Sequence, residues 1–270
     1  MVARLCRRAV GANDYALEFL DEVIKGRHLF LVFSKDVELI GMANYTPVFD
    51  KSAWLGMART DPDWRGMGVA QFLQENMAAY ARHHGVGVLR FIVSSTNSSS
   101  LRAAEKGRFR IVAQAAHASL ARKKISRESE DFESIAQELK PTKTLTPDFV
   151  SNSNYIKKFS GYMSRGYAFL PATRENLGWL VSHGELFSYN DGTAFVLCKT
   201  GSSHGELCLL AGGTKKCLRN ALRKADELNL KTLGGFLPYD RSIIRAGESL
   251  GFKRDLWARH VFLFERRISF

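Results

Sequence analysis

The stretch DPDWRGMGVAQFL, residues 61–73, places Gly66 and Gly68 one residue apart, directly before an amphipathic segment. A helix start usually carries Ser, Thr, Asp or Asn, and glycine costs backbone entropy, so these two glycines need an explanation. A strand that turns tightly into a helix leaves free backbone N–H groups at the positive end of the helix dipole. We interpret the glycines as bare backbone that lets a diphosphate approach, with Arg65 adding positive charge beside it.

Two better-known phosphate loops do not match this stretch. A nucleotide P-loop requires Gly-Lys-Ser/Thr before the helix, where this chain has Gly68 followed by Val69 and Ala70. A dinucleotide fingerprint requires a third glycine at the position that Gln71 occupies. The sequence therefore predicts a phosphate loop of another kind.

The composition is that of an ordinary globular protein, with 45% hydrophobic and 24% charged residues among 270. No apolar run approaches the roughly 18 residues of a membrane span, and the N-terminus lacks the apolar stretch of a signal peptide, so we expect a cytoplasmic location. The net charge of +12 is spread over both halves without aromatic residues among the basic runs. The charge by itself suits a polyanionic ligand or general solubility as well as it suits nucleic acid, and the missing aromatic residues argue against nucleic acid as a partner.

The cysteines and histidines show no metal-binding pattern. Cys6, Cys198, Cys208 and Cys217 have no C-x-x-C spacing, and the seven histidines form no cluster. We therefore predict neither a metal site nor a disulfide framework, and we interpret the cysteines as small buried hydrophobes.

The first half alternates strands and helices. We predict a helix over 13–25 opened by Asn13, and a helix from 69 to about 84 whose apolar face carries Val69, Phe72, Leu73, Met77 and Tyr80. A short helix is predicted over 99–107. The predicted strands of this half are 3–10, 28–34, 37–49, 52–60, 88–95 and one or two within 108–121.

The second half resembles a faint copy of the first. Residues 89–109 and 230–252 each run strand, polar turn, helix, glycine and phenylalanine. Residues 122–148 are rich in charge, proline and threonine, which is typical of a connector. We therefore predict domains at 1–121 and 149–270, joined by the connector 122–148.

Two linked motifs resemble the Gcn5-related N-acetyltransferase (GNAT) superfamily. The first is Arg65-x-x-Gly68-x-Ala70 after a strand and Asp61-Pro62, which is similar to its acetyl-CoA-binding motif. The second is the strand over 88–95 followed by Asn97, a helix and Phe109. The resemblance covers about residues 3–121 and implies an α/β fold with a mixed central sheet flanked by helices, followed by a second, degenerate GNAT-like half. The two-part layout also resembles, more weakly, the histidine N-acetyltransferase group.

The resemblance implies a site for acetyl-CoA. Backbone groups of Ala58, Arg59 and Thr60 would pair with the pantetheine arm, and Asn97 would hydrogen-bond it from the neighbouring strand. These two parallel strands splay apart in the family, and the thioester sits in the cleft. The pyrophosphate would be held beside Arg65 by the backbone N–H groups of Gly66, Met67, Gly68, Val69, Ala70 and Gln71.

No catalytic side chain carries over from the family. The tyrosine that often protonates the leaving thiolate is Ala104 here, and Gly56 and Met57 stand where many members have an acidic residue. A site without a base suits an α-amine better than a lysine, so we predict an α-amine of an amino acid, a small molecule or a protein N-terminus. His117 is a candidate base that faces the cleft, and Tyr45 and Glu38 are candidates to line the acceptor pocket, although core packing or surface exposure explains each of them as well. The aromatic segment 159–171 is a candidate to close over the acceptor, or equally a core element.

Other functions stay open at this point. A non-catalytic acetyl-CoA-binding regulator fits the missing catalytic positions, and the positive charge allows an RNA-linked amine as acceptor. The segment AGGTKKCLR, residues 211–219, lacks the Arg-x-x-Gly-x-Ala pattern. We therefore expect the second half to bind no acetyl-CoA.

Overall fold

The computed structural model describes residues 1–26, 29–121, 146–189, 191–201 and 203–270. The chain forms two compact units: unit 1 is Met1–Ile111 with Phe264–Phe270, and unit 2 is Val112–Leu263. These limits differ from those of the predicted domains, because unit 1 ends at Ile111 rather than at residue 121 and also includes the last seven residues. Most of the predicted connector, residues 122–145, lies outside the described residues.

The elements of unit 1 follow the predicted alternation closely after residue 29. In chain order they are α1 (Val2–Ala9), α2 (Ala16–Lys25), β1 (Leu29–Phe33), β2 (Leu39–Val48), β3 (Ser52–Thr60), a short 3-10 helix (Pro62–Trp64), α3 (Val69–His83), β4 (Val88–Ser94) and α4 (Ser98–Lys106).

The elements that follow include several that the sequence analysis did not predict, among them a hairpin within the aromatic segment 159–171. They are β5 (Arg110–Ala121), α5 (Pro147–Ser151), α6 (Asn154–Lys158), β6 (Tyr162–Arg165), β7 (Ala168–Pro171), α7 (Arg174–Ser182), β8 (Glu185–Ser188), β9 (Ala194–Thr200), β10 (His204–Ala211), α8 (Thr214–Glu227), β11 (Thr232–Pro238), α9 (Arg241–Glu248), β12 (Lys253–Arg254), a 3-10 helix (Leu256–Ala258) and β13 (Val261–Arg267). In the described part of the chain, no helix has the length and apolar character needed to span a bilayer.

The sheet of unit 1 is mixed, as predicted. Strands β1, β2 and β3 pair antiparallel in that order, β4 pairs with β3 in parallel, and β13 follows β4. One face packs against α1 and α2 through a core that includes Leu5, Cys6, Met42 and Met57. The other face packs against α3 so closely that a side chain at Gly41 would collide with Val69.

Residues Phe264–Phe270 complete unit 1. Phe264 is buried and stacks on Phe91 with ring centroids 5.5 Å apart, and the Ile268 N–H donates to the Gly87 carbonyl at 2.9 Å. The Glu265 carboxylate lies 3.0 Å from Nε of the buried Arg90. Through these contacts, Phe264–Phe270 pack into unit 1 although they are far from its other residues in the sequence.

The predicted strand over 3–10 is wrong, because these residues form the helix α1. Val2, Leu5, Cys6 and Ala9 recur at helical spacing, and Leu5 and Cys6 are buried. Arg7 and Arg8 lie in the last turn, where positive charge is favourable. The segment is short enough that its pattern also fits alternation, which produced the wrong prediction.

Two details of the predicted helices also need correction. Helix α2 begins at Ala16 rather than near Asn13, and the Asp14 carboxylate accepts a hydrogen bond from the Ala16 N–H at 3.0 Å. On α3, Val69, Leu73 and Met77 are buried as predicted, but Phe72 is 58% exposed and Tyr80 is 42% exposed. The buried stripe follows i, i+4 spacing, which leaves Phe72 at its margin.

Unit 2 repeats part of the element order of unit 1, as predicted. In unit 1 the order β3, α3, β4 and α4 spans the site region, and β10, α8, β11 and α9 follow the same order in unit 2. Here β10 pairs with β11 in parallel, just as β3 pairs with β4. The prediction that the cysteines are buried is also confirmed, since all four are buried and free.

Candidate active site

The loop between β3 and α3 depends on two residues in the left-handed backbone region. The Asp61 carboxylate accepts a hydrogen bond from the Asp63 N–H at 3.1 Å and so opens the short 3-10 helix after β3. Gly66 and Gly68 then have φ values of +81° and +83°, and Gly68 caps the 15-residue helix α3. Glycine is needed here because other residues are strained in this region.

This loop presents open space and free donors at the start of α3. A Cβ placed on Gly66 or Gly68 would meet no atom within 4 Å. In the described chain, the backbone N–H groups of Gly66 and of residues 68–71 make no hydrogen bond to another backbone group. Free N–H groups at a helix N-terminus favour an anion, so the loop fits the pyrophosphate that the sequence predicts there.

The last turn of α1 fixes this loop. The Arg8 guanidinium lies 2.9 Å from the Asp61 carboxylate and 2.7 Å from that of Asp63. Arg65, predicted to add charge beside the phosphate, donates to the Ala9 carbonyl at 2.6 Å. Because a guanidinium has five N–H donors, this bond leaves Arg65 able to contact an anion as well.

Strands β3 and β4 diverge next to the loop. They pair only at Ser52–Val88, Ala53–Leu89 and Trp54–Arg90, although both strands continue beyond these pairs. A bulge contributes to the divergence, because Met57 and Ala58 together oppose Ala43 of β2 and Met57 has a φ of +51°. The cleft that the resemblance implies is therefore present, with Ala58, Arg59 and Thr60 along one side of it.

Asn97 lies just beyond the end of β4, on the other side of the cleft. Its Oδ1 caps α4 by accepting hydrogen bonds from the Ser100 N–H at 3.1 Å and the Ser99 hydroxyl at 2.9 Å. Within the described residues its Nδ2 makes no hydrogen bond, so the amide nitrogen is the atom that can donate to pantetheine. The contact with pantetheine itself stays a prediction.

An ion pair that the sequence analysis missed holds the α1–α2 connection against the end of β3. Arg59 Nε donates to Asp14 Oδ2 at 2.7 Å, and its guanidinium lies 5.1 Å from the centre of the Tyr15 ring. The Asp14 side chain is fully buried and that of Arg59 is 10% exposed. Burial by itself would raise the pKa of Asp14, but hydrogen bonds from Arg59 and the Ala16 N–H outweigh it and lower that pKa.

We predict that the Asp14–Arg59 ion pair makes the free energy of unfolding fall at acidic pH. Because the pKa of Asp14 is lower in the folded state, the pair stabilises fully above the unfolded value of about 3.9 and is lost as pH falls through the folded value. Asp14→Asn should cost about 3–5 kcal/mol at pH 7 by leaving Arg59 buried without its partner. The same substitution should also make the free energy of unfolding less dependent on pH between pH 3 and 7. Urea unfolding between pH 3 and 7 measures both effects, and Asp36→Asn, at an exposed position, is the control. If Asp14→Asn leaves the pH dependence of the unfolding free energy unchanged, the assignment is wrong.

The side-chain candidates from the sequence do not line the cleft. Tyr45 is buried with its ring against Tyr80 of α3, and burial raises the pKa of Tyr45 to about 12. Glu38 lies exposed in the turn before β2, and Ala104 is fully buried in α4. Packing therefore explains Tyr45, and Glu38 is an ordinary surface residue. At position 104, where many GNAT members have a tyrosine, this chain has an alanine that cannot donate a proton.

His117 is a paired strand histidine in unit 2. Its Nδ1 lies 2.7 Å from Asp255 Oδ2, and the Ser119 hydroxyl donates to the other oxygen of Asp255 at 3.0 Å. Burial lowers the pKa of His117 despite the neighbouring carboxylate. This partner explains the histidine without a catalytic role.

The open glycine loop, the free N–H groups and the divergent strands together form the arrangement that the sequence analysis expected for an acyl-coenzyme site. Residues 4–108 match the model of the Acetyltransferase (GNAT) family. This part of the chain is therefore a GNAT acetyltransferase domain.

Solved structures share the fold over nearly the whole chain. A GCN5-related N-acetyltransferase from Sphaerobacter thermophilus is 15% identical with a TM-score of 0.59, and the match covers 99% of this chain and 91% of that one. A candidate acetyltransferase from Thermoplasma acidophilum is 13% identical with a TM-score of 0.57, covering 95% and 84%. Curated proteins give no significant match. At these identities the likeness shows the fold alone.

Proposed function

We propose that unit 1 binds acetyl-CoA and transfers its acetyl group to the α-amine of an amino acid, a small molecule or a peptide. The observation that carries this proposal is the open loop at Gly66 and Gly68, beside a cleft that begins where β3 and β4 part. The loop N–H groups would hold the pyrophosphate. The backbone of Ala58, Arg59 and Thr60, with the Asn97 amide, would hold the pantetheine arm.

The chemistry requires few side chains. The amine nitrogen attacks the thioester carbonyl carbon, the C–S bond breaks, and the thiolate leaves while the new amide loses a proton. A backbone N–H near Ala58 would stabilise the negative charge that develops on the carbonyl oxygen. A model thiol has a pKa of about 8.5, so the coenzyme thiolate can leave without a strong acid. This agrees with the buried Ala104 at the position of the family tyrosine.

Gly56 and Met57 stand where many GNAT members carry an acidic residue, and a site without that base favours an amine with a low pKa. An α-amine, with a pKa of about 7.7–8.0, is roughly a tenth to a sixth neutral at pH 7. A lysine side chain, at about 10.4, is neutral in only about four molecules per ten thousand. An enzyme that cannot remove the ammonium proton therefore gains a few hundredfold from an α-amine.

We predict that the purified chain acetylates α-amines at least 100-fold faster than lysine side chains at pH 7. The reason is the difference in neutral fraction. The measurement is an amine-library screen with mass detection of acetylated products, using peptides that carry either a free α-amine or a free lysine as a matched pair. Faster acetylation of lysine would contradict the proposal.

A further inference from the structure

Strand β1 forms an edge of the sheet of unit 1, and all five of its residues, LFLVF, are apolar. In the described part of the chain, β1 pairs with β2 on one side and with no strand on the other. Its outward backbone N–H and C=O groups can therefore bond to another strand. Leu31 is 40% exposed and Phe33 is 44% exposed, so apolar side chains beside these groups are open as well.

The outer strand of unit 2 shows how such an edge is usually protected. β8 has only four residues, and its exposed Glu185 carboxylate lies 3.5 Å from Nζ of Lys199. Short length and charge both discourage pairing with another chain. β1 contains neither a charge nor a proline, and its register with β2 is regular over Leu29, Phe30, Leu31 and Val32. Another strand can therefore pair with these four residues.

Apolar side chains border this edge on both faces of the sheet. Leu31 shares a face with Leu29, which packs against the core that includes Leu20 of α2. On the other face, the ring of Phe30 contacts that of the half-exposed Tyr80 of α3, with centroids 5.3 Å apart. A strand added beside β1 would therefore bury apolar side chains on both of its own faces, and such cross-strand contacts stabilise a sheet.

The charge around this edge is opposite to that of the whole chain. Residues 16–38, which contain α2, β1 and the turn after β1, carry five carboxylates and three basic residues, whereas the chain has a net charge of +12. Within the described residues, none of the five carboxylates forms an ion pair, so they can meet positive charge on a partner. These exposed residues are Glu18, Asp21, Glu22, Asp36 and Glu38.

We propose that β1 is a docking edge for an extended peptide that carries Lys or Arg on either side of its apolar residues. The peptide adds a strand to the sheet, so that main-chain hydrogen bonds supply affinity and the apolar side chains supply specificity. Its basic residues meet the carboxylates of α2 and of the turn after β1. A second copy of this chain fits less well, because a two-fold contact would bring the same acidic patch together twice. The inference does not depend on the proposed acetyl transfer.

Calorimetric titration of synthetic peptides into the full chain, without acetyl-CoA, tests this proposal. The probe is Lys-Val-Thr-Val-Thr-Val-Lys, acetylated at its N-terminus and amidated at its C-terminus. One control peptide has glutamate in place of both lysines, and the other is N-methylated at every valine and threonine, so that it cannot donate to a neighbouring strand. We expect the probe to bind at least tenfold more tightly than either control peptide.

Substitutions in the protein locate the binding edge. Leu31→Lys places a charge on the edge, as many natural edge strands do, and should weaken binding of the probe at least tenfold. Leu256→Lys is the matched control, because Leu256 is also exposed but lies in the 3-10 helix of unit 2. Asp36→Lys should lower the preference for the probe over the glutamate peptide at least threefold, whereas Glu105→Lys, at an exposed position on α4, should leave it unchanged.

Three outcomes would overturn the docking assignment. The first is that the wild type does not bind the probe, or binds the N-methylated peptide equally well. The second is that a folded Leu31→Lys protein, checked by circular dichroism, binds the probe as tightly as the wild type does. The third is that sedimentation shows a wild-type dimer that Leu31→Lys dissociates, because the edge would then be an interface between two copies.

Discussion

Gly68→Val is expected to weaken acetyl-CoA binding at least 100-fold. A valine at this position must adopt the left-handed backbone of Gly68, with a φ of +83°, and its side chain would fill the space left for the pyrophosphate. It would also crowd the free N–H groups at the start of α3. Calorimetric titration of acetyl-CoA into the folded variant measures the loss.

Gly85→Val is the matched control for this experiment. Gly85 follows the other end of α3, has a φ of +69°, and also has open space at its Cβ. Both variants should therefore lose a similar stability, about 1–3 kcal/mol of backbone strain. Only the change at Gly68 should affect the coenzyme. Unchanged coenzyme affinity in a folded Gly68→Val protein would overturn the acetyltransferase proposal.

Removal of residues 264–270 is expected to unfold unit 1. The truncation deletes the buried side chains of Phe264 and Ile268, and each loss should lower the free energy of unfolding by about 2–5 kcal/mol. The buried Arg90 also loses Glu265, one of its carboxylate partners. The truncation also removes Arg266, which binds the Glu75 carboxylate on α3. The sum approaches the whole stability of an ordinary domain.

Circular dichroism and acetyl-CoA binding of the truncated chain test this expectation. A milder variant, Glu265→Ala, should lower the free energy of unfolding by about 3 kcal/mol, because Arg90 keeps Asp50 as a partner. Arg267→Ala is the control, since its side chain is 89% exposed and should cost no more than about 0.5 kcal/mol. A truncated chain that folds and binds coenzyme would show that unit 1 is complete without its last seven residues.

Local features of the site could be predicted from the sequence. Gly66, Gly68 and the helix that follows lie within a few residues of each other, so their spacing alone indicates the turn, the helix start and the phosphate loop. The glycine at 85 similarly predicts the end of α3. Such features depend on backbone conformations that few residue types can adopt.

Features that depend on distant partners could not be predicted. The pairing of Arg90 with Glu265 joins residues 175 positions apart, and nothing near Arg90 in the sequence indicates that it is buried. The bulge at Met57 lies at a non-glycine residue, and Asp14 meets Arg59 only after β3 and α1–α2 have packed. The open edge of β1 likewise becomes visible only when the strand order is known.

The discontinuous make-up of unit 1 has a consequence for synthesis on the ribosome. Its first 111 residues emerge early, but the strand that contains Glu265 is translated only after all of unit 2. Domains generally fold as units, so nascent unit 1 would lack the strand beside β4 until residues 264–270 have been synthesised. We therefore expect unit 1 to need chaperones mainly between the synthesis of its first 111 residues and the synthesis of residues 264–270.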